Sequence, residues 1–172
     1  MAPPWAARDE SGSALRFAGQ GGIMSWRETA QIYSVGYPIS NLLTEAEAKL
    51  ASDDWIQQAG AAIKFQYGDN VFAGPVIYVV STRLISISPW SMDSWRELAV
   101  INVTDLPYYG IERSRTRVDY FAETPAGPLV ISVESQEQAT ALAQAIRNAY
   151  MHRVNGFTLT QGVQELRSTV TR

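Results

Sequence analysis

SQEQATALAQAIRNAYMH, residues 135–152, places Ala139, Leu142, Ala143, Ile146, Ala149 and Tyr150 at i, i+3, i+4, i+7, i+10 and i+11. That spacing is one stripe of an α-helix. Ser135 followed by Gln138 reads as a capping box: the serine hydroxyl takes the Gln138 amide hydrogen and the glutamine side chain reaches back. Upstream of this helix the apolar period changes to two. Ile63, Phe65 and Tyr67 alternate with Lys64 and Gln66 and stop at Gly68-Asp69-Asn70, a turn signal. Val76–Ser81, Leu84–Ser88, Leu98–Val103, Tyr108–Glu112, Arg117–Glu123 and Leu129–Glu134 continue as predicted strands. Turns fall at Asp105-Leu106-Pro107, Ser114–Thr116 and Pro125-Ala126-Gly127. Six or seven strands at 8–12-residue spacing followed by one amphipathic helix predict an α+β fold. Its sheet is a strongly bent antiparallel one, or a partly open barrel of about seven strands, capped by the C-terminal helix.

Four segments are expected along the chain. Residues 1–22, with Pro3-Pro4 and Gly19, Gly21 and Gly22, read as a flexible tail in which Trp5, Leu15 and Phe17 are the apolar exceptions. Residues 23–60 read as a helical extension. Ile32–Val35 suits a short strand, and Thr44 opens a helix through a Thr44–Glu47 capping box, reaching Leu50 or continuing through Trp55 to Gln58. The strand-rich unit covers 61–152. Residues 153–172 form a tail in which Val163, Leu166 and Val170 share one face of a short helix.

Composition excludes several chemistries. The chain has no cysteine and a single histidine, His152, so disulfides, thiolate zinc sites, cysteine nucleophiles and multi-histidine metal sites are all absent. A net charge of −3 gives no electrostatic basis for nucleic acid as the main partner. No cofactor or metal is expected. Asp53-Asp54 and Asp69 are read as surface and turn residues rather than paired catalytic acids, because adjacent carboxylates on an element do not converge. The N-terminus lacks the basic-then-apolar order of a signal peptide, and the longest apolar run, Val76–Val80, is far short of a membrane span. The expected location is cytoplasmic. Arginine in large excess over Lys49 and Lys64 suits a high-GC bacterial or phage source.

The order of elements over residues 61–151 resembles the pleckstrin-homology-like superfold in its bacterial PH and GRAM-type versions. The segment GPVIYVVSTRLISIS (74–88) is similar to the family's strand-Thr-Arg-Leu-strand segment. ELAVINVTDLPYYGIE (97–112) looks like the family's segment in which a buried aliphatic residue, here Leu106, follows a short strand. The terminal capped helix follows the last strand directly. The resemblance implies a seven-stranded bent sheet with its open end covered by the helix, and partners that are phosphoinositide headgroups, peptides or protein surfaces. Phosphoinositide-binding members place Lys and Arg between the first two strands. Here that stretch, QYGDNVFAGP (66–75), carries Asp69 and no basic residue.

Two groups of residues are candidate sites. Trp90, Met92 and Trp95 in SPWSMDSW are candidate partner-binding residues, since a loop with two tryptophans suits an interface. The alternatives are a loop that dips into a membrane surface and rings that fold under to close the sheet. Arg113, Arg115 and Arg117 share one face and clamp an anion if the strand runs straight through them. They splay into solvent if Ser114–Thr116 is a hairpin tip. The expected function is a non-enzymatic protein-binding or assembly module, a scaffold or structural component acting through a protein partner or self-association. The alternatives are a peripheral anionic-lipid-binding domain and a small-ligand carrier.

Overall fold

The computed structural model describes residues 25–34 and 36–155. The tail expected at 1–22 and the helix expected within 153–172 lie outside the described residues, apart from the last residues of the final helix. Elements follow in the order α1 (Trp26–Thr29), β1 (Gln31–Tyr33), α2 (Ser40–Ala48), β2 (Ile56–Tyr67), β3 (Asn70–Ser81) and β4 (Leu84–Pro89). They continue with β5 (Ala99–Asn102), a 3₁₀ turn (Val103–Asp105), β6 (Gly110–Arg113), β7 (Val118–Thr124), β8 (Gly127–Val133) and α3 (Gln136–Asn155).

Seven strands form one antiparallel sheet in the order β5-β4-β3-β2-β8-β7-β6. It is a curled half-barrel, closed on one side where β2 pairs with β8 and open between β5 and β6. The 12-residue β2 makes this possible. Its second half, Lys64–Tyr67, pairs with β8. Its first half instead takes β1 in parallel, with Gln31, Ile32 and Tyr33 opposite Gln58, Ala59 and Gly60. A register shift between Ala62 and Lys64 marks the bend between the two halves.

α3 lies across the open end. Ala139, Leu142, Ala143, Ile146 and Ala149 are buried against Phe65, Tyr78, Ile87, Leu106, Tyr120 and Ile131. The alanines on this stripe let the helix axis approach the sheet closely, while Leu142 and Ile146 supply the volume. The expected cap forms by half. Ser135 Oγ accepts the Gln138 N–H at 3.1 Å, but the Gln138 side chain turns inward and donates to Ala61 O at 2.9 Å and Tyr78 Oη at 3.1 Å. A buried amide satisfies two acceptors there, whereas reaching back would strand the Ala61 carbonyl.

The segment before β2 departs from expectation in three places. α2 begins at Ser40, with Ile39 as an N-cap that offers no side-chain bond, so Thr44 does not start the helix. An earlier start sets Leu42, Leu43 and Ala46 on the stripe that meets the sheet. Thr44 and Glu47 serve α1 instead: Thr44 Oγ1 accepts from Trp26 Nε1 at 3.2 Å and the Glu47 carboxylate accepts the Trp26 N–H at 2.6 Å. Finally, residues 56–60 are strand and not the end of a helix, because pairing on both sides outweighs helix propensity.

The second half of β3, from Val76, is buried on both faces. Val76, Tyr78 and Val80 point into the half-barrel. Ile77 and Val79 point outward and are covered by Trp26, Ile39, Leu42, Leu43 and Trp95. The unbroken run Val76–Val80 is therefore a strand between two cores rather than one with a wet face.

Tyr120 illustrates the cost of an apolar interior. It is fully buried, its ring stacks on Tyr109 with centroids 5.5 Å apart, and its hydroxyl finds no partner among the described residues. Tyr120→Phe is expected to raise stability by about 1 kcal/mol, read as a higher urea midpoint, because an unmet buried donor is removed. Burial, reinforced by Tyr109, also pushes the Tyr120 phenol well above the ordinary tyrosine value. The folded state thus holds this proton more tightly than the unfolded chain. The associated stability is present below pH about 10 and lost as pH rises beyond it. The phenylalanine variant is expected to lose part of that alkaline sensitivity, and an unchanged midpoint at both pH 7 and pH 10.5 sinks the assignment.

Candidate functional site

The connection from β4 to β5, residues 90–98, is held on two sides. Toward the sheet, Trp90 N donates to Pro75 O at 3.0 Å and Arg96 N to Ser88 Oγ at 2.9 Å. Toward the N-terminal segment, Trp90 Nε1 donates to Pro38 O at 3.0 Å and Trp95 N to Glu45 Oε2 at 2.9 Å. Asn41 Nδ2 reaches Met92 O at 3.4 Å. Asn41 and Glu45 are four residues apart, on one face of α2, and so grip the loop at two points.

The three predicted partner-binding residues take different positions on this loop. Trp95 is 7% exposed and belongs to the outer core. Trp90 is half-buried, with its ring 5.3 Å from that of Tyr37 at an interplanar angle of 58°. Met92 is 59% exposed at the crest. Around it Tyr37 and Trp90 are partly open, and Pro38, Asn41 and Asp93 are exposed. A flexible, polarizable methionine thus stands on a base fixed by buried tryptophan and backbone hydrogen bonds, a combination suited to adaptable apolar contact. Asn41 and Glu45 were missed by sequence reasoning. Their i, i+4 spacing was the available signal, hidden by a helix start placed at Thr44.

The three arginines do not form a row. Arg113 ends β6, and Ser114 N donates to Arg117 O at 2.9 Å to close the hairpin tip. Arg113 and Arg115 are exposed. Arg117 instead lies along Asp119, with Nε 3.2 Å from Oδ1. The stretch 66–75 is not a loop either. β2 and β3 run to a two-residue turn at Gly68-Asp69, where Gly68 takes φ +62°. A hairpin this tight leaves no extended backbone between these strands to wrap a headgroup.

Among the described residues no group of three or more His, Asp or Glu is placed to hold a metal ion, and no helix is long and apolar enough to cross a membrane.

The sheet order, the long shared strand β2 and the helix over the open end define a pleckstrin-homology-like fold. Similar solved structures include the following. An apo structure of an activated truncation of Vav1 is similar over 84% of this chain and 34% of that one, at 7% identity and a TM-score of 0.52. A Vav1 exchange-factor structure described for its PH and C1 domains matches over the same shares, at 8% identity and a TM-score of 0.49. The N-terminal PH domain of human ARAP2 matches 58% of this chain and 84% of its own length, at 12% identity and a TM-score of 0.44. The chain thus spans about a third of these Vav1 chains. No protein-family model and no curated protein sequence matches it.

Proposed function

We propose that the chain is a non-enzymatic protein-binding or assembly module built on a pleckstrin-homology-like domain, with the Trp90–Trp95 loop as its docking surface. The observation that carries this reading is the fusion of that loop with α2. Asn41 and Glu45 hold the loop backbone at Met92 and Trp95, and the Pro38 carbonyl takes the Trp90 indole N–H, so Met92 is presented on a rigid base and not on a free loop. A rigid base lowers the ordering cost of association, and an exposed methionine beside two aromatic rings supplies the apolar contact.

The absence of native cysteine makes the test direct. A Met92→Cys variant carrying a benzophenone maleimide is expected to give a discrete cross-linked species on illumination. A Glu123→Cys variant, labelled at an exposed position of β7, is expected to give none. A species twice the chain mass with purified protein marks self-assembly, and a heavier species only in extract of the native host marks a separate partner. The same products from both positions, or from neither, overturn the reading.

A further inference from the structure

We infer that β5 accepts an extended segment of a partner protein as an added strand, and that this segment is apolar in its middle and basic at its ends. The inference rests on the proposed protein-binding role and names the kind of partner it fits.

β5 pairs with β4 alone. Val103 N donates to Arg83 O at 2.9 Å while Leu84 lies opposite Asn102, so Leu84 and Asn102 form a non-hydrogen-bonded pair. The alternation that follows turns Ala99 and Ile101 toward β4. It directs the N–H and C=O of Val100 and the N–H of Asn102 away from the sheet, where no described residue pairs with them. Those groups are a ready template for one more strand. The side chains on the outer face are receptive as well: Leu98 and Val100 are each 40% exposed.

Exposed edges in soluble folds are commonly blunted by charged side chains, by Pro or by inward charge. The other antiparallel edge follows that rule, since β6 carries Glu112 and Arg113. From Leu98 to Val103 the β5 segment carries no charged residue and no proline. Acidic groups stand at both of its ends, Glu97 before and Asp105 after, and with Asp93 they outnumber Arg96 across residues 90–105. A basic residue at each end of an incoming strand meets that pattern. A second copy does not. Antiparallel self-pairing centred on Ile101 brings the two outward Val100–Asn102 sets together but carries Glu97 toward the 3₁₀ turn that bears Asp105 in the other copy, like charge toward like at both ends of the pair.

Val100→Pro isolates the edge. The lost N–H is one that β4 does not use, and proline is tolerated on an edge strand in that orientation. The probe is a fluorescein-labelled peptide of sequence KTVTVTVK, titrated into the full chain and followed by anisotropy. Saturable binding is expected, weakened at least ten-fold by Val100→Pro and reduced by Glu97→Gln and by added salt. Amide exchange on the native chain gives a readout that needs no variant: the peptide is expected to slow exchange at Val100 and Asn102 and to leave Val71 unchanged. Absence of binding, binding indifferent to Val100→Pro with no protection at those amides, or a concentration-dependent dimer abolished by Val100→Pro each overturns the inference. Cross-linking from the labelled Met92→Cys variant keeps the two readings apart. Capture that survives Val100→Pro removes only the strand-addition inference, whereas no capture in either background removes the docking role on which it rests.

Discussion

Gly60→Ala is expected to destabilise the protein by about 3 kcal/mol, a fall in melting temperature of roughly 6–12 °C. Gly60 stands in register between Tyr33 of β1 and Tyr78 of β3. The Tyr78 ring crosses the space that a side chain at 60 would fill, and its hydroxyl meets the Gln138 amide at the start of α3. A Cβ at position 60 would lie 2.5 Å from Tyr78 Oη and 2.7 Å from Tyr33 O. One of these contacts is to backbone, so rotating the tyrosine relieves only half of the clash. Either β1 separates from β2, or Tyr78 withdraws and leaves the buried Gln138 amide short of a partner. The double variant Gly60→Ala with Tyr78→Phe tests this reading. It is expected to recover part of the loss, since the nearest atom is gone, but not all of it, since the Tyr33 carbonyl and the ring carbon Cζ at position 78, 2.8 Å from the added Cβ, remain. A thermal midpoint for Gly60→Ala within about 2 °C of the native one counts against the packing described.

The second large effect is expected at Asp54, whose carboxylate sits buried between α2 and β2. Its Oδ1 accepts from Trp55 N at 2.9 Å, Thr82 N at 2.8 Å and the Thr82 hydroxyl, and its Oδ2 accepts from Ser81 Oγ at 2.8 Å. Three donors from the β3–β4 turn and one from the adjacent Trp55 converge on one side chain, fastening that turn to the start of β2. Asp54→Ala strands those donors and is expected to cost about 2–4 kcal/mol. The neighbouring Asp53 is an internal control. It is exposed and pairs with Arg83 at the surface, so Asp53→Ala is expected to cost less than about 1 kcal/mol. Equal losses at the two positions, measured by urea unfolding, would refute the assignment of Asp54 as the anchor.

This pair also shows how far sequence reasoning reaches. Adjacency argues against a paired catalytic role for Asp53-Asp54, but the surface position expected for both holds only for Asp53, since Asp54 is buried. That depends on Thr82 and Ser81, more than 25 residues away, arriving with their donors inward. The Trp90–Trp95 loop has the same character. Two tryptophans around a methionine were visible in SPWSMDSW, yet nothing local distinguishes a ring that will be buried from one that stays half-open. Trp95 is drawn into the outer core because α2 covers β3 beside it. Met92 stays exposed because the loop is pinned on both sides of it. The arginine series likewise turned on one local question, whether Ser114–Thr116 is a hairpin tip, and the Ser114–Arg117 hydrogen bond answers it.

By itself the sequence determined the antiparallel strand succession from Val76 onward, the amphipathic helix after it and the bent, helix-capped α+β class. Each of these is written in a local period of 2 or 3.6 residues or in turn chemistry, legible without knowing any distant neighbour. Tertiary structure alone decided that residues 56–60 join the sheet, that Gln138 abandons its cap for Ala61 and Tyr78, and that residues 26–48 build a second core on the outer face of β2 and β3. In each of these cases a local preference worth a few tenths of a kcal/mol competes with burial of whole side chains or satisfaction of buried polar groups, and the stronger, non-local effect prevails.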